Sequence, residues 1–562
     1  MKKILCLTRN EYVKQLKKPS ILVLLIVLSA ILFFSPLFWA GIEKLNEVSM
    51  SGYDTPSERA ENRREVAEYY QDTIVENPEE QSFFEIQITY FLTQAQAYEQ
   101  LAQAGLTTLR DWRSSMINAY VEACGQVAEY EAHVKDRPFP APSDSYHFMY
   151  GWTGDVQADA ESYQIALQTR DENYREIVKN DYFGYIRQLR DNYRQEWDAA
   201  KQDLERLKAT AAENDTEENL LAVENQEWVL RGYESEDARL SMILERQIAF
   251  DDSWKNKTLS LWEQNAVNMQ HDYQLMSYAE FSQSGRQSGI TYEEYRNSVL
   301  ESRSKLTDEI TLYCYSLEHD TPLYNVSDSV LDSARLLSSK SVGCLILVTL
   351  FGIILASGIV SKEFSSGTVR LLLIRPVKRW KILLSKYLMV LSLCLGLTLL
   401  TYGAYLLLPS VLLGGSDFAN PYLYLVGETV FQVPFPLYLL GQVMITFLSV
   451  VFCVTFAFFL STLSRNTALA AILSAGLAFS PLFCVILSLF HTTLMKILLW
   501  TPFFYVDLSY WVFGEESLLL SMFNGQMDAF AHPGVGMAWL VLLTIGMLVG
   551  SFTFFRKHDV KN

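Results

Sequence analysis

The residues best placed to do chemistry lie between Val360 and Lys386. Seven Lys/Arg (Lys362, Arg370, Arg375, Lys378, Arg379, Lys381 and Lys386) stand there against a single acid, Glu363. Such a stretch offers a positive docking face, not a covalent reaction. Beside apolar segments it also marks the cytoplasmic side of a membrane. Gly367-Thr368 breaks one turn and starts another, with Thr368 as N-cap, and Pro376 ends the next run. The expected shape is a short amphipathic helix under the membrane followed by a sharp re-entry. Other chemistry is missing from the sequence. No glycine is followed by lysine, so there is no G-x-x-x-x-G-K-[ST] phosphate loop. There is no H-E-x-x-H or G-x-S-x-G, and the seven histidines have no ligand spacing. No catalytic residue and no metal site is expected, and the chain does not read as an enzyme.

The elements that must hold this loop are apolar runs of bilayer length, roughly 20 residues each. Six are read: Ser20–Ile42, Val342–Ser361, Leu383–Leu408, Tyr438–Thr462, Thr467–Phe490 and Val535–Phe555. Mean hydropathy is only +0.08, because a long polar insert is averaged with them. The first run is too long for a signal-peptide core and lacks a small-residue cleavage site. Before it, Ile4, Leu5, Tyr12, Val13 and Leu16 recur at helical spacing among six Lys/Arg, which reads as a basic amphipathic helix in the inner interface. Pro19 then permits a bend. The basic N-terminus, the 361–386 loop, Arg465 in the turn S-T-L-S-R-N and the tail (Arg556, Lys557, Lys561) all fall on one side if both termini are cytoplasmic. The loops at 409–437 and 491–534 then face outward, with six acids against Lys496. The spans hold no mid-membrane Asp, Glu, Lys or Arg, which disfavours an ion-coupled carrier.

The segment Val360–Lys386 resembles the E-x-x-x-G-T-x-x-x-L-L-x-x-P-x-x-R-x-x-I-L-x-x-K pattern of ABC-2 type ABC transporter permeases. The matching residues are Glu363, Gly367, Thr368, Leu372, Leu373, Pro376, Arg379, Ile382, Leu383 and Lys386. The resemblance covers residues 1–42 and 341–562. It implies that Glu363, Gly367, Thr368, Arg370, Arg375, Pro376 and Arg379 meet a separate ABC ATPase subunit, with Arg465 in a second coupling turn. It also implies that residues 1–19 form the family's elbow helix, and that ATP and Mg act through the partner, no cofactor binding this chain. The further partners expected are a second permease subunit, identical or not, and the lipid bilayer. The function implied is export across a cell membrane, most simply a bacterial plasma membrane. A positive-inside loop without a partner is the plainer reading. A non-transporting surface receptor, a secretion-accessory protein and an antibiotic sensor remain as alternatives.

Residues 43–340 depart from that family, whose members have a short loop there. The insert carries 28 of the 46 basic and 55 of the 64 acidic residues, a net of −27. This excludes nucleic acid and anionic surfaces as partners of the insert. No proline occurs between Pro142 and Pro322. Leu189, Tyr193, Trp197, Ala200, Leu204 and Leu207 form one helical stripe, and Leu221 to Ile248 continue it after a polar break. A long antiparallel hairpin over about 171–250 is expected, after a helical block at 57–134 and a linker at 137–145. Cys124 and Cys314, the two cysteines of the insert, are read either as a disulfide or as two buried thiols. Ala470, Ser474 and Ala478, and Gly352 with Ala356, mark close helix packing, between subunits or within one. The aromatic run 498–513, broken by Pro502, suits the outer interface. The fold class expected is an all-α membrane protein: an elbow at 1–19, a first span at 20–42, an extracellular helical domain at 43–340, and five spans in 341–562.

Overall fold

The computed structural model describes residues 2–50, 55–76, 81–135, 155–284, 291–326, 331–365, 378–464, 466–488, 492–508 and 533–557. It is helical almost throughout. The N-terminal part comprises α1 (Lys2–Leu16), α2 (Pro19–Met50), α3 (Pro56–Glu76), α4 (Gln81–Gln103), α5 (Ser114–Glu129) and α6 (Val156–Lys179). Next come α7 (Tyr182–Glu213), α8 (Glu217–Arg246), α9 (Trp254–His271), α10 (Tyr278–Gln283), α11 (Tyr292–Glu318) and α12 (Ala334–Ser339). Then follow α13 (Leu345–Ser365), α14 (Arg379–Leu413), α15 (Phe435–Ser464), α16 (Thr467–Ala478), α17 (Ser480–Ser488), α18 (Thr492–Leu499) and α19 (Pro533–Lys557). An antiparallel hairpin, β1 (Tyr422–Val426) with β2 (Thr429–Val433), lies between α14 and α15. Gly427, at φ +62°, supplies the left-handed residue of its turn.

Among the described residues, five helices are long and apolar enough to cross a membrane: Pro19–Leu45, Leu345–Glu363, Arg379–Leu413, Phe435–Ser464 and Gly534–Arg556. The chain is an all-α membrane protein. The expected span at 467–490 is not one helix. It breaks at Phe479 into α16 and α17. Pro481 has no N–H to give, and its ring crowds the turn before it, which is the physical reason for the break.

The bundle is built around α13, whose central window is 72 % buried, against 22 % for α2 and α19. Gly352 lets neighbouring helices close in: a Cβ there would sit 2.4 Å from Val454 Cγ2 and 2.8 Å from Cys394 Sγ. Ala356, Ala470 and Ser474 are fully buried. These small-residue faces therefore pack within the chain. The aromatic run is divided where it is described: Trp500 and Phe503 are exposed, whereas Phe504 and Tyr505 are fully buried, and Gly536 approaches the Tyr505 ring.

The contact pattern divides the chain into two units. One holds residues 1–44, 196–239 and 253–562, the other residues 45–195 and 240–252. Residues 43–340 fall in both units. The second unit has its own core, in which Tyr98, Leu101, Ile117, Tyr120, Val121 and Ile177 are buried together. In the first unit Arg303 is the pin. Its guanidinium bonds Tyr273 O (2.9 Å) and Asn225 Oδ1 (2.7 Å) and lies over the Trp228 ring. The hairpin expected at 171–250 is α7 and α8, tied by Lys208–Glu227 and by Gln226 to Ala200 O. It is shorter than expected because Asn180, at φ 50°, ends α6. Each arm is therefore about 45–48 Å long, not 60 Å.

Cys124 and Cys314 are thiols and form no disulfide. Cys124 is buried in the core of the second unit, where desolvation pushes its pKa up to about 11. Cys314 lies in the first unit and donates to Glu318 on its own helix.

Candidate functional site

The described residues around the basic loop converge on Glu363, two residues before the end of α13, and Lys386, two turns into α14. Lys386 is 2 % exposed and Glu363 is 8 % exposed. Lys386 Nζ donates to Glu363 Oε1 (2.7 Å) and to Glu11 Oε2 (3.0 Å). Lys14 also pairs with Glu363 Oε1. The two ends of the loop are thereby joined to each other and to α1.

Helix α1 reaches this position by docking its polar face inward. Glu11 and Gln15, one turn apart, are 8 % and 6 % exposed. Gln15 Oε1 accepts from Lys18 Nζ at 2.7 Å, and the Tyr12 hydroxyl bonds Ser392 of α14. Three lysines (Lys14, Lys18, Lys386) thus meet two carboxylates. The imbalance is felt at Lys18: burial first, then the charges of Lys362, Lys14 and Lys386, lower its pKa, and Glu363 opposes them. A buried charge set holds only when each member is paired and hydrogen bonded. Glu363 meets this condition by accepting from two ammonium groups, and Lys386 by donating to two carboxylates.

Just before Glu363, the end of α13 is held by hydroxyls. Ser461 Oγ accepts from Ser361 N–H (3.1 Å) and donates to Ser357 O (2.7 Å), bridging a turn of α13 from α15. Ser361 Oγ also lies 2.6 Å from Thr467 Oγ1, the first residue of α16. Asn466 caps α16 by accepting from Ala468 N–H (3.0 Å) and Leu469 N–H (3.3 Å). Tyr387 OH, beside Lys386, bonds Thr455 Oγ1 of α15 at 2.7 Å. One short segment of α13 is therefore bonded to α1, α14, α15 and α16.

At the opposite end of α13 and α14 a second charge pair closes the bundle. Arg335 of α12, 1 % exposed, donates to Asp417 Oδ1 (2.9 Å), Pro322 O (3.0 Å) and Pro421 O (3.3 Å). Burial pushes the Asp417 carboxyl up. The Arg335 charge and hydrogen bonds from Ser333 and Arg335 outweigh it and hold the carboxyl below its ordinary range. Tyr324, Tyr422, Phe435 and Tyr438 stack around this end.

Of the residues the sequence pointed to, Glu363 lies at the hub and Arg379 opens α14 half-buried. Ile382, Leu383 and Lys386, the end of the sequence pattern, are all buried. Gly367, Thr368, Arg370, Arg375, Pro376 and Arg465 lie outside the described residues. Sequence reasoning missed Glu11, Lys14, Gln15, Ser361, Ser461 and Thr467. For Glu11 a signal existed: it is the one acid among the six Lys/Arg of residues 1–19. No group of His, Cys, Asp and Glu among the described residues could hold a metal.

Residues 323–561 match the model of a family described as a protein of unknown function, DUF2705. The chain is 32 % identical over 265 residues to the uncharacterized protein YhcI of Bacillus subtilis (strain 168), a match covering 45 % of this chain and 76 % of the relative. It is 30 % identical over 217 residues to the uncharacterized membrane protein YdbK of the same strain, covering 38 % of this chain and 79 % of the relative. Both relatives are shorter chains, and the family model begins only near the end of the insert.

Proposed function

This chain belongs to the same family as YhcI and YdbK, and we propose that it is the membrane subunit of an ABC-2 type ABC transporter, an exporter of a bacterial plasma membrane. In this reading a separate ATPase docks on residues 361–386 and supplies the energy. The chain crosses the membrane six times with both termini cytoplasmic, α16 and α17 together making the crossing that is broken at Pro481. The insert faces outward.

The observation that carries the reading is the Glu363–Lys386 pair. A loop that only set topology would need its charges in water. Here both ends of the loop are anchored by buried ionic bonds, and one end is also bonded to α1, α15 and α16. A partner that moved the loop would move the bundle. Because the buried charges are satisfied among themselves, the positive charge left for a partner is that of the loop: Arg370, Arg375, Lys378, Arg379 and Lys381.

The test is charge reversal with the hub kept intact. Arg370→Glu, Arg375→Glu and Arg379→Glu together are expected to leave membrane insertion normal and to abolish co-purification of a P-loop ATPase. Co-purification at the wild-type level would reduce the loop to a topology signal and remove the basis of the reading.

A further inference from the structure

Helix α1 buries two polar side chains and leaves apolar ones exposed beside Arg9 and Lys14. Its polar residues Glu11 and Gln15 are 8 % and 6 % exposed, whereas Leu5 and Val13 are 65 % and 47 % exposed. A helix on an aqueous surface shows the reverse pattern. The outward side is a shallow open groove of about 550 Å³, lined by Leu5, Thr8, Tyr12, Val13 and Leu16 together with Arg9 and Lys17. Lys14 and Lys386 are engaged with Glu11 and Glu363. Arg9 and Lys17 are in no ion pair among the described residues. They sit eight residues apart on one face, about 12 Å along the axis, with the apolar floor between them.

We propose that this groove of α1 binds an anionic phospholipid, an acyl chain lying on Leu5, Val13 and Leu16 and the headgroup phosphate held by Arg9 and Lys17. The pairing of an apolar floor with two uncommitted cations is what selects the occupant. A zwitterionic lipid would satisfy the floor and offer a phosphate, but its choline or ethanolamine cation would lie against Arg9 and Lys17 and offset that attraction. A soluble anion would satisfy the cations and leave the floor in water. An acidic peptide helix would need the floor to be covered by its own apolar face, and α1 is adjacent to the membrane-entering helix α2, where acyl chains are the local apolar medium. A lipid seated here would press on the outer side of the helix whose inner side carries Glu11 and Lys14. Lipid charge would thereby act on the seating of α1 against α13 and α14. The proposal rests on α1 lying at the membrane surface and does not require the transporter reading.

The test is native mass spectrometry of the full-length protein, extracted in detergent and supplied with equal amounts of phosphatidylglycerol and phosphatidylcholine. Each cation at an anionic surface is worth about fivefold in affinity. The wild type is therefore expected to retain phosphatidylglycerol over phosphatidylcholine by about tenfold or more. Arg9→Gln with Lys17→Gln should abolish the preference, and Lys2→Gln with Lys3→Gln, an equal loss of charge that precedes Leu5 in the sequence, should keep it. If the double variant cannot be extracted, R9Q and K17Q alone are each expected to lower retention severalfold. Equal retention by wild type and R9Q/K17Q overturns the proposal, and so does equal loss in the Lys2/Lys3 variant, which would mean a diffuse charge effect. Displacement of the lipid by glycerol phosphate at equal concentration overturns it as well, since the floor would then contribute nothing, and no phosphatidylglycerol preference at all would leave the groove to a protein partner. ATPase co-purification, measured on the same variants, is a separate readout. Its loss or survival bears on the transporter reading and not on the lipid site.

Discussion

Lys386 is the residue on which the loop, α1 and the bundle depend. Its ammonium group is shared by two carboxylates in a place where water is nearly absent. Replacing it by Met removes one charge, strands Glu11 and leaves Glu363 with Lys14 alone, a change that costs about 3–5 kcal/mol when a buried pair is broken from one side. Lys386→Met is therefore expected to lower the thermal midpoint of the extracted protein strongly. Adding Glu363→Gln and Glu11→Gln to it should recover much of the loss, because the stranded charges are then gone. Fluorescence-detected size-exclusion chromatography after heating reads both effects, and a triple variant as unstable as the single one would mean the cluster is not a coupled unit. Glu363 and Lys386 were legible in the sequence as members of a pattern, but their bond was not. They are separated by the loop, and nothing in one-dimensional spacing says that its two ends meet. The partner Glu11 lies 375 positions from Lys386, a separation at which the sequence offers only composition, a lone acid among bases. Cys124 and Cys314 illustrate the same limit, since the sequence left a disulfide and two free thiols open, and the structure shows two free thiols.

The helices themselves were easier to read than their interruptions. Apolar length located α2, α13, α14, α15 and α19 to within a few residues, because a bilayer-spanning run is a property of composition alone. The broken element at 467–488 was missed although Pro481 stood in plain view, since its flanks are as apolar as those of an unbroken span. The β-hairpin was missed too: Y-L-Y-L-V-G-E-T-V-F-Q-V alternates over two short runs with Gly427 at the turn, a signal hidden among longer apolar segments. At this scale the packing of α13 makes a paired prediction. Gly352→Ala puts a methyl group against Val454 and Cys394, and overpacking of this kind costs about 1–3 kcal/mol. Gly396→Ala in α14 meets nothing within 4 Å and should gain from reduced chain entropy by about 0.5–1 kcal/mol. Thermal midpoints should fall for the first and hold or rise for the second. The same midpoint for both would show that α13 does not pack as tightly as its glycine implies.

For the whole molecule, the account places the insert on one face of the membrane and the basic loop on the other. A cysteine at Asp215, in the turn between α7 and α8, is expected to react with an impermeant maleimide on intact cells, and one at Ser366 only after permeabilisation. Labelling of both from outside would reverse the orientation derived from the Lys/Arg distribution. Of the native cysteines in the insert, Cys124 is a poor competitor for the reagent, being buried with its pKa pushed up to about 11, and the partly exposed Cys314 is replaced by Ser beforehand. The central claim is narrower: the loop between Glu363 and Lys386 is where a separate ATPase transmits force to the bundle. The measurement that meets it most directly is in-cell photo-cross-linking from Thr368, replaced by a benzoylphenylalanine residue, with the adduct identified by mass spectrometry. The account predicts one dominant adduct, a polypeptide carrying a G-x-x-x-x-G-K-[ST] phosphate loop, lost when Arg370, Arg375 and Arg379 are reversed to Glu. An adduct with a protein lacking that loop, or none under conditions where the chain is correctly inserted, would contradict it.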